Sequence, residues 1–310
     1  MKIGFFGTPE LAARVLAGLR EKHEVLFAVT AEDKEAGRNR ALHYCQAKEK
    51  ALAFGIPVLQ PKSLKDPAFI EELRSHDADI YAVVAYGNLI PRAVFEYPPL
   101  KTINLHPSLL PKYRGAAPVQ WALINGEHET GITVQLINEK LDAGDIVVQE
   151  RLPLDRQMTA GDVMEIVSCR GARLMDSAIG ILASGGAEPQ RQNESEATYC
   201  GKIDKDLPRI DWSRSAEEIH NLVRGLNPKP VAFSFFRGEA IKIWKTALPG
   251  ADVPGAAGPG SLVRYQKKRL FAGTGRGMVE ILSLQPANKK VMDGLSFING
   301  YRLAPEDRFE

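Results

Sequence analysis

Cysteine and long apolar stretches are scarce in this chain of 310 residues, and each scarcity excludes a class of protein. The three cysteines, Cys45, Cys169 and Cys200, are too few and too scattered to build a disulfide framework or a zinc site. No run of about 20 apolar residues is present to span a bilayer. The first residues, Met1-Lys2-Ile3-Gly4-Phe5-Phe6-Gly7, read directly as a strand and lack the features of a signal peptide. We therefore expect a protein of the reducing cytoplasm, with no membrane partner.

A large net charge is also missing, but the charges are distributed unevenly. The chain has 40 Lys and Arg against 38 Asp and Glu, for a net of +2. Residues 1–199 contain 22 basic and 26 acidic side chains, a net of −4, whereas residues 200–310 contain 18 and 12, a net of +6. A basic C-terminal third favours a polyanionic partner. Ordinary scatter of charge between two domains is the simpler explanation when charge is considered alone.

The first half of the chain has the pattern of an α/β protein. At about 100–200 residues per domain, the length predicts two domains. Apolar strand candidates alternate with helices, which is typical of a parallel, doubly wound sheet. Strand Lys2–Phe6, for example, leads into a helix for which we expect Thr8 as the cap and Pro9 as the first residue. We therefore expect an α/β fold with a Rossmann-like domain over residues 1–187.

The C-terminal part has a different pattern. Residues 188–207 are mostly polar and are predicted to form a linker. Beyond Pro208, a short predicted helix is followed by about five short strand candidates, separated at close spacing by glycine and proline. Such a series fits a small β-barrel. We expect an OB-like barrel domain over residues 208–310.

The densest chemical signal is the segment 104–115, which reads NLHPSLLPKYRG. Asn104 and His106 stand two residues apart at the end of a predicted strand, so their side chains face the same way. The carboxyl ends of the strands are where open α/β sheets bind ligands. A second segment, 140–145, places Asp142 and Asp145 around a flexible Ala-Gly pair, from which one carboxylate could reach the imidazole.

An amide, an imidazole and a carboxylate together suit acyl transfer to an amine. The Asn104 amide can donate to the oxyanion of a tetrahedral intermediate. His106 can relay a proton from the attacking amine to the departing nitrogen. Asp142 can fix the ring tautomer and stabilise the imidazolium. The alternatives are a structural histidine at a strand end and aspartates that serve only as turn residues.

Together with Ala116-Ala117-Pro118 and Leu141-Asp142-Ala143-Gly144-Asp145, segment 104–115 resembles the methionyl-tRNA formyltransferase family. The resemblance covers nearly the whole chain, and its further motifs are Phe6-Gly7-Thr8-Pro9, Val84-Ala85-Tyr86-Gly87, Arg209-Ile210-Asp211-Trp212, Arg224-Gly225-Leu226-Asn227-Pro228 and Leu284-Gln285-Pro286-Ala287-Asn288-Lys289-Lys290. The catalytic motif is shared by all folate-dependent formyltransferases of this fold. The C-terminal motifs are the ones that point to a tRNA substrate.

The resemblance implies a reaction and a site. It implies transfer of a formyl group from 10-formyltetrahydrofolate to the amino group of methionyl initiator tRNA, for translation initiation. It implies a metal-free catalytic centre at Asn104, His106 and Asp142. It also implies that the loops around Val84–Ile90 and Asp142 wrap the pteridine. The expected folate-binding residues are Ser108, Leu109, Leu110, Pro111, Tyr86, Gly87 and Ile90.

Two groups of basic residues are expected to contact tRNA phosphates in a monomeric enzyme. The family usually carries a loop of the form Gly-Arg-Gly-Lys-Lys followed by prolines, whereas residues 36–45 here read AGRNRALHYC. Asn39 tolerates left-handed backbone and so preserves a turn, and Arg38 and Arg40 keep two cations. The second group lies in the C-terminal domain, where isolated basic runs are otherwise solvated loops: Lys267, Lys268, Arg269, Lys289 and Lys290.

Other functions are compatible with parts of this pattern. An amino-sugar N-formyltransferase shares the catalytic motif, but a sugar-nucleotide site needs a different pocket rim, and Arg38 and Arg40 argue mildly against it. A non-catalytic folate-binding or nucleic-acid-binding module has no need of a proton relay. Gly4 and Gly7 resemble part of a dinucleotide fingerprint, but the full pattern is missing, and a tight turn packed against the helix is the expected role.

Overall fold

The computed structural model describes residues 1–36, 41–185, 188–250 and 253–310, and the chain divides into two compact units. The first unit comprises Met1–Gly115, Thr130–Leu152 and Met164–Cys200. The second comprises Ala116–Glu129, Pro153–Val163 and Gly201–Glu310. The predicted linker, residues 188–207, is thus divided, because its residues up to Cys200 belong to the first unit and the others to the second.

The elements follow one another in a regular order. Up to Cys200 they are β1 (Lys2–Gly7), α1 (Glu10–Arg20), β2 (Glu24–Val29), β3 (Lys34–Ala36), β4 (Ala41–His43), α2 (Gln46–Ala53), β5 (Val58–Leu59), α3 (Pro67–Ser75), β6 (Ile80–Val84), α4 (Arg92–Phe95), β7 (Thr102–His106), β8 (Arg114–Gly115), α5 (Pro118–Ile124), β9 (Glu129–Leu136), β10 (Ile146–Pro153), α6 (Ala160–Ser184), a 3₁₀ turn (Glu194–Glu196) and β11 (Tyr199–Cys200). From Gly201 they are α7 (Ala216–Gly225), β12 (Ala232–Phe236), β13 (Glu239–Ala247), β14 (Leu262–Tyr265), β15 (Arg269–Gly273), β16 (Met278–Pro286), β17 (Met292–Asp293) and α8 (Gly294–Tyr301).

The first unit is built on a seven-stranded sheet of order β10-β9-β7-β6-β1-β2-β5. The neighbours from β7 to β5 run parallel, and β9 runs antiparallel to β7. Strands β1 and β6 are almost continuous apolar runs, because a parallel strand covered on both faces has no solvent side. This sheet confirms the predicted Rossmann-like architecture, and it brings the carboxyl ends of β1, β6 and β7 to one edge.

The turn after β1 shows why the chain carries glycine there. A Cβ on Gly4 would lie 2.3 Å from the Phe27 ring, and one on Gly7 would lie 2.5 Å from the Cβ of Ala12. Both glycines therefore allow close packing. The predicted helix start is wrong by one residue, since Pro9 is the N-cap and α1 begins at Glu10. The Thr8 hydroxyl does not cap the helix and instead donates to the Tyr86 carbonyl oxygen at 3.4 Å.

The second unit contains an antiparallel sheet of order β12-β13-β16-β15-β14, with β17 paired to β16. The last residues of the chain hydrogen-bond to both ends of this sheet. Glu310 exchanges backbone hydrogen bonds with Phe235 of β12, while the amide of Leu262 in β14 donates to the Asp307 carbonyl at 3.0 Å. Because both edge strands are joined to the same segment, the sheet closes into the predicted small barrel. Its core includes Trp212, whose ring stacks on Phe309 at 5.3 Å between centroids.

Candidate active site

Strand β7 carries two of the predicted catalytic side chains at its carboxyl end. In the register with β9, Asn104 lies opposite Gln135 and His106 lies opposite Thr133. Opposite residues of an antiparallel pair share a face, and so do alternate residues of one strand. All four side chains therefore belong to one side of the sheet. Asn104 is half-buried, and its side-chain amide makes no hydrogen bond within the described part of the chain.

The imidazole of His106 is buried and held from one side by backbone. Its Nε2 lies 2.8 Å from the carbonyl oxygen of Tyr113. A carbonyl oxygen only accepts, so Nε2 carries the proton and Nδ1 of the neutral ring is the unprotonated nitrogen. Nδ1 lies 3.7 Å from Oδ2 of Asp142. The tautomer-fixing role predicted for Asp142 therefore falls to Tyr113, and Asp142 lies where it can pair with the protonated ring.

Asp142 is held in a strained turn by two donors. Its φ is +49°, in the left-handed region. Its Oδ2 accepts from the amide of Gly115 at 2.9 Å, and its Oδ1 accepts from Nε2 of Gln135 at 3.2 Å. These two donors fix the orientation of the carboxyl group. The nearby Gly144 must be glycine, since a Cβ there would lie 1.7 Å from the Leu136 carbonyl oxygen.

The predicted folate loop, Ser108–Pro111, is an irregular segment fixed by neighbouring strands. The fully buried Ser108 directs its hydroxyl to the Lys112 carbonyl oxygen at 2.7 Å. The hydroxyl of Thr133 donates to the Ser108 carbonyl at 2.7 Å, and the amide of Gln149 donates to the Leu110 carbonyl at 3.0 Å. Ser108 and Leu110 are buried, which leaves Leu109 and Pro111 as the partly exposed side chains of the loop.

The second predicted folate segment, Val84–Ile90, follows β6. The ring of Tyr86 packs edge-on against Phe6 at 5.7 Å, and burial raises the pKa of its hydroxyl. Gly87 is exposed and has a φ of +89°. Ile90 is half-buried and packs against the apolar cluster that contains Phe6 and Tyr86. Because the ring is buried, only the backbone of Tyr86 is available for the predicted contact with folate.

Two leucines in the predicted pteridine loops were missed by sequence reasoning. Leu89 is 80% exposed and Leu141 is 52% exposed. Large apolar side chains in otherwise polar turns are the signal that could have identified them, because leucine in a turn gains little unless something covers it. Leu89 belongs to Val84–Ile90, and Leu141 immediately precedes Asp142.

The predicted tRNA-binding residues of the barrel differ in how free their charges are. Lys267 and Lys268 are exposed on the turn between β14 and β15. Arg269 is half-buried, and its Nε and Nη2 donate to the two carboxylate oxygens of Glu280 at 2.8 and 2.7 Å. Its charge is therefore largely compensated inside the domain, in contrast to the charges of the two lysines.

Other exposed lysines lie in the same unit. Lys289 and Lys290 are exposed between β16 and β17. A groove of about 800 Å³ in this unit is lined in part by Lys205, Lys229 and Lys242. These three lysines are far apart in the chain and form no basic run.

Some expectations concern features that the described residues do not contain. Arg38 and Arg40 lie in the gap between residues 36 and 41, outside the described part. Within the described ranges, no three His, Cys, Asp or Glu side chains are grouped as ligands for a metal ion. The helices of those same ranges are all too short or too polar to cross a bilayer.

Comparison with known families and relatives covers both units. The family model described as formyl transferase matches residues 1–179, and the one described as formyl transferase, C-terminal domain, matches residues 202–302. The methionyl-tRNA formyltransferase of Thermodesulfovibrio yellowstonii is 42% identical over 300 residues, which cover 96% of each chain.

Solved structures share the fold at much lower identity. WlaRD, a sugar 3N-formyl transferase, is similar with a TM-score of 0.69 and 19% identity over 94% of this chain and 99% of its own. HypX from Aquifex aeolicus, in complex with tetrahydrofolic acid, has a TM-score of 0.65 and 19% identity over 97% of this chain and 47% of its own. This chain thus spans about half the length of HypX. At such identities, these likenesses establish the fold alone.

Proposed function

Because the chain belongs to the formyl transferase family, we propose that it transfers a formyl group from 10-formyltetrahydrofolate to the free amino group of methionyl initiator tRNA. The observation that carries the proposal is the 42% identity, through both domains, with a relative named for the methionyl-tRNA substrate. The reaction serves translation initiation, and the cytoplasm is its proposed location. Formation of formylmethionyl-tRNA by the purified protein tests the proposal directly.

The proposed reaction is an attack of the methionyl amine on the formyl carbon. A carbon–nitrogen bond forms to the methionyl amine, and the bond between the formyl carbon and the folate nitrogen breaks. The tetrahedral intermediate places negative charge on the formyl oxygen. The side-chain amide of Asn104 makes no hydrogen bond within the described residues, so it is free to donate to this oxyanion. No metal is needed for this charge stabilisation.

His106 is the proposed carrier of the proton. Its Nε2 is engaged by the Tyr113 carbonyl, so the amine's proton is taken by Nδ1. The resulting imidazolium is stabilised by the carboxylate of Asp142, 3.7 Å away. The proton then passes to the departing folate nitrogen, and the neutral ring is restored. The amine is its own nucleophile, so the mechanism requires neither a serine nor a cysteine.

The proposed folate site lies beside this centre. Members of the family use folate derivatives, and the pteridine is proposed to lie between the loops of Val84–Ile90 and Asp142, against Ser108–Pro111. The exposed Leu89 and Leu141 support this position, since a flat aromatic ring gives such side chains an apolar partner.

A folate derivative should protect these loops from amide hydrogen exchange. We expect slower exchange in 109–112 and in 141–145 when 5-formyltetrahydrofolate is added, because a bound ring excludes water from both segments. Mass spectrometry of peptic fragments measures this protection, and strand β15 in the other unit is the internal control. Protection confined to the Gly4–Gly7 turn would favour a nucleotide site and contradict the proposal.

The tRNA is proposed to bind mainly through the barrel, where the net charge of residues 200–310 is +6. Phosphates contact Lys267, Lys268, Lys289 and Lys290 in this proposal. Arg269 contributes less, since Glu280 already compensates its charge. Arg38 and Arg40 are proposed to position the 3′ end of the acceptor stem, so that the methionyl amine reaches the formyl carbon.

Removal of exposed lysine charges should weaken tRNA binding in a salt-dependent manner. In a Lys267→Ala, Lys268→Ala variant, we expect the slope of log K against log salt to become shallower by about one unit per lost phosphate contact. Binding titrations at several salt concentrations measure the slope. The matched control is Lys62→Ala, Lys65→Ala, which removes two exposed lysines from the other unit. Equal slopes for both variants would remove the β14–β15 turn from the tRNA interface.

An amino-sugar substrate is the second candidate. WlaRD has the same fold over nearly its whole length, but the likeness at 19% identity extends to the fold alone. The basic barrel favours a polyanion as large as tRNA over a sugar nucleotide. A purely binding module is disfavoured by the arrangement of His106 between Tyr113 and Asp142. A monomeric state stays a prediction.

A further inference from the structure

A chain of buried polar side chains leads away from Asp142 to a part of the sequence that its polarity marked as linker. Gln135, on β9, contacts the Asp142 carboxylate and is 2% exposed. Its Oε1 accepts from Nε2 of Gln192 at 3.0 Å. Gln192 is 5% exposed, and its Oε1 in turn accepts from Nε and Nη2 of Arg114 at 3.1 and 2.9 Å. The segment around Gln192 is therefore built into the catalytic unit.

The direction of each hydrogen bond in this series of side chains is fixed by the residues at its two ends, Arg114 and Asp142. Arginine can only donate, so the amide of Gln192 must present its oxygen to Arg114 and its nitrogen to Gln135. Gln135 must then present its nitrogen to Asp142. Oδ1 of Asp142 accepts this last bond. Neither glutamine can flip its amide without placing donor against donor or acceptor against acceptor.

Gln192 also grips the backbone of the Asp142 loop directly. Its Nε2 donates to the carbonyl oxygens of Asp142 and Gly144, at 3.0 and 2.7 Å. These bonds hold the loop on both sides of Ala143, where Asp142 adopts its left-handed backbone. A single side chain thus fixes the backbone at Asp142 and, through Gln135, one oxygen of its carboxylate. The distance from that carboxylate to His106 depends on both.

The far end of the chain is an anchor. The guanidinium of Arg114 is fully buried and donates to both oxygens of Glu194, at 2.9 and 3.1 Å. This pairing lowers the pKa of Glu194. The backbone on both sides is fixed as well, since β8 and β11 pair in parallel and join Arg114 to Tyr199. Gln192 is therefore held from the anchor side and cannot follow a loop that moves.

We propose that Gln192 is a positioning residue for formyl transfer, which sets the place of Asp142 relative to His106; this inference rests on the proposed function. Gln192 touches no reacting atom. It acts through the Asp142 loop, and Arg114 acts through Gln192. Loss of this support lets the carboxylate drift from the imidazolium that it stabilises.

The test compares two identical substitutions on one segment. Gln192→Met keeps the length of the side chain and removes all of its hydrogen bonds. We expect kcat to fall by up to about 10²-fold, with KM for methionyl-tRNA within about twofold of wild type. Gln190→Met is the matched control, since Gln190 is exposed and its side chain makes no hydrogen bond in the described part of the chain. Its kcat should stay at the wild-type value.

A second comparison separates positioning from a general structural role. In an Asp142→Asn background, Gln192→Met should lower the single-turnover rate by less than about twofold further, because the group that it positions is already lost. A structural role would give the same loss in both backgrounds. If Gln192→Met does not fold, as judged by its thermal midpoint, Gln192→Glu replaces it. That variant keeps the oxygen facing Arg114 and loses the amide donors.

The outcomes separate this proposal from the function on which it rests. Failure of the wild-type protein to form formylmethionyl-tRNA would overturn the proposed function. With an active wild type, the positioning proposal is overturned if Gln192→Met retains more than about half of kcat or if its loss is equal in the Asp142→Asn background.

Discussion

The His106→Ala variant is expected to lose about 10²–10⁴-fold in turnover while it remains folded. The alanine removes the imidazole that is proposed to take the amine's proton beside Asp142, and it leaves the Tyr113 carbonyl without that donor. The measurement is the single-turnover rate of formylmethionyl-tRNA formation at saturating substrates, together with the thermal midpoint.

A second histidine–carboxylate pair provides the control for this variant. In the same unit, Nε2 of His23 lies 3.0 Å from Oδ1 of Asp176. The His23→Ala variant removes a similar pair and should keep wild-type turnover. The His106→Ala, Asp142→Asn double variant should be about as slow as His106→Ala alone, because the two residues act as a unit. Retention of more than about a tenth of wild-type turnover by His106→Ala would end the proton-relay assignment.

The Asn104→Ala variant is expected to lose about 10²–10³-fold in turnover, the usual cost of one oxyanion donor. Because no hydrogen bond within the described residues depends on this amide, the fold should tolerate the change. KM for folate and for tRNA should change little, since the oxyanion is absent from the bound substrates. The same single-turnover assay measures the loss.

An isosteric variant sharpens this prediction. Asn104→Asp keeps the shape of the side chain but replaces the donor with an acceptor that repels a developing oxyanion. It should be at least as slow as Asn104→Ala. Near-normal turnover in Asn104→Asp would show that the oxyanion is stabilised elsewhere, and the assignment of Asn104 would be withdrawn.

Elements whose signal is local could be predicted from the sequence. Strands β1 and β6 stand out as apolar runs, because parallel strands are buried on both faces. The spacing of Asn104 and His106 places them on one face through the period of a strand, and the register with β9 agrees with this. The close spacing of glycines and prolines predicted the short strands of the barrel. The family resemblance, confirmed by the comparisons, supplied the substrates.

Features that depend on distant partners could not be predicted in the same way. The polar run around Gln192 reads as linker, since the hydrogen-bond partners of the Gln192 side chain lie 48 to 78 positions away in the sequence. The tautomer of His106 is set by a backbone carbonyl, which any residue at 113 would supply. The pairing of Arg269 with Glu280 follows from the alignment of β15 and β16, in which Phe271 lies opposite Glu280. None of these contacts leaves a periodic or compositional trace.

The most direct test of the account is a formyl-transfer assay with two alternative acceptors in separate reactions. The purified protein is incubated with 10-formyltetrahydrofolate and methionyl initiator tRNA, and a parallel reaction contains a nucleotide-linked amino sugar instead of the tRNA. The account predicts that formylmethionine is released when the ester bond to the tRNA is hydrolysed, and that an equal amount of 10-formyltetrahydrofolate is consumed. It predicts no formylated sugar. Formylation of the amino sugar with no formylmethionine would contradict it.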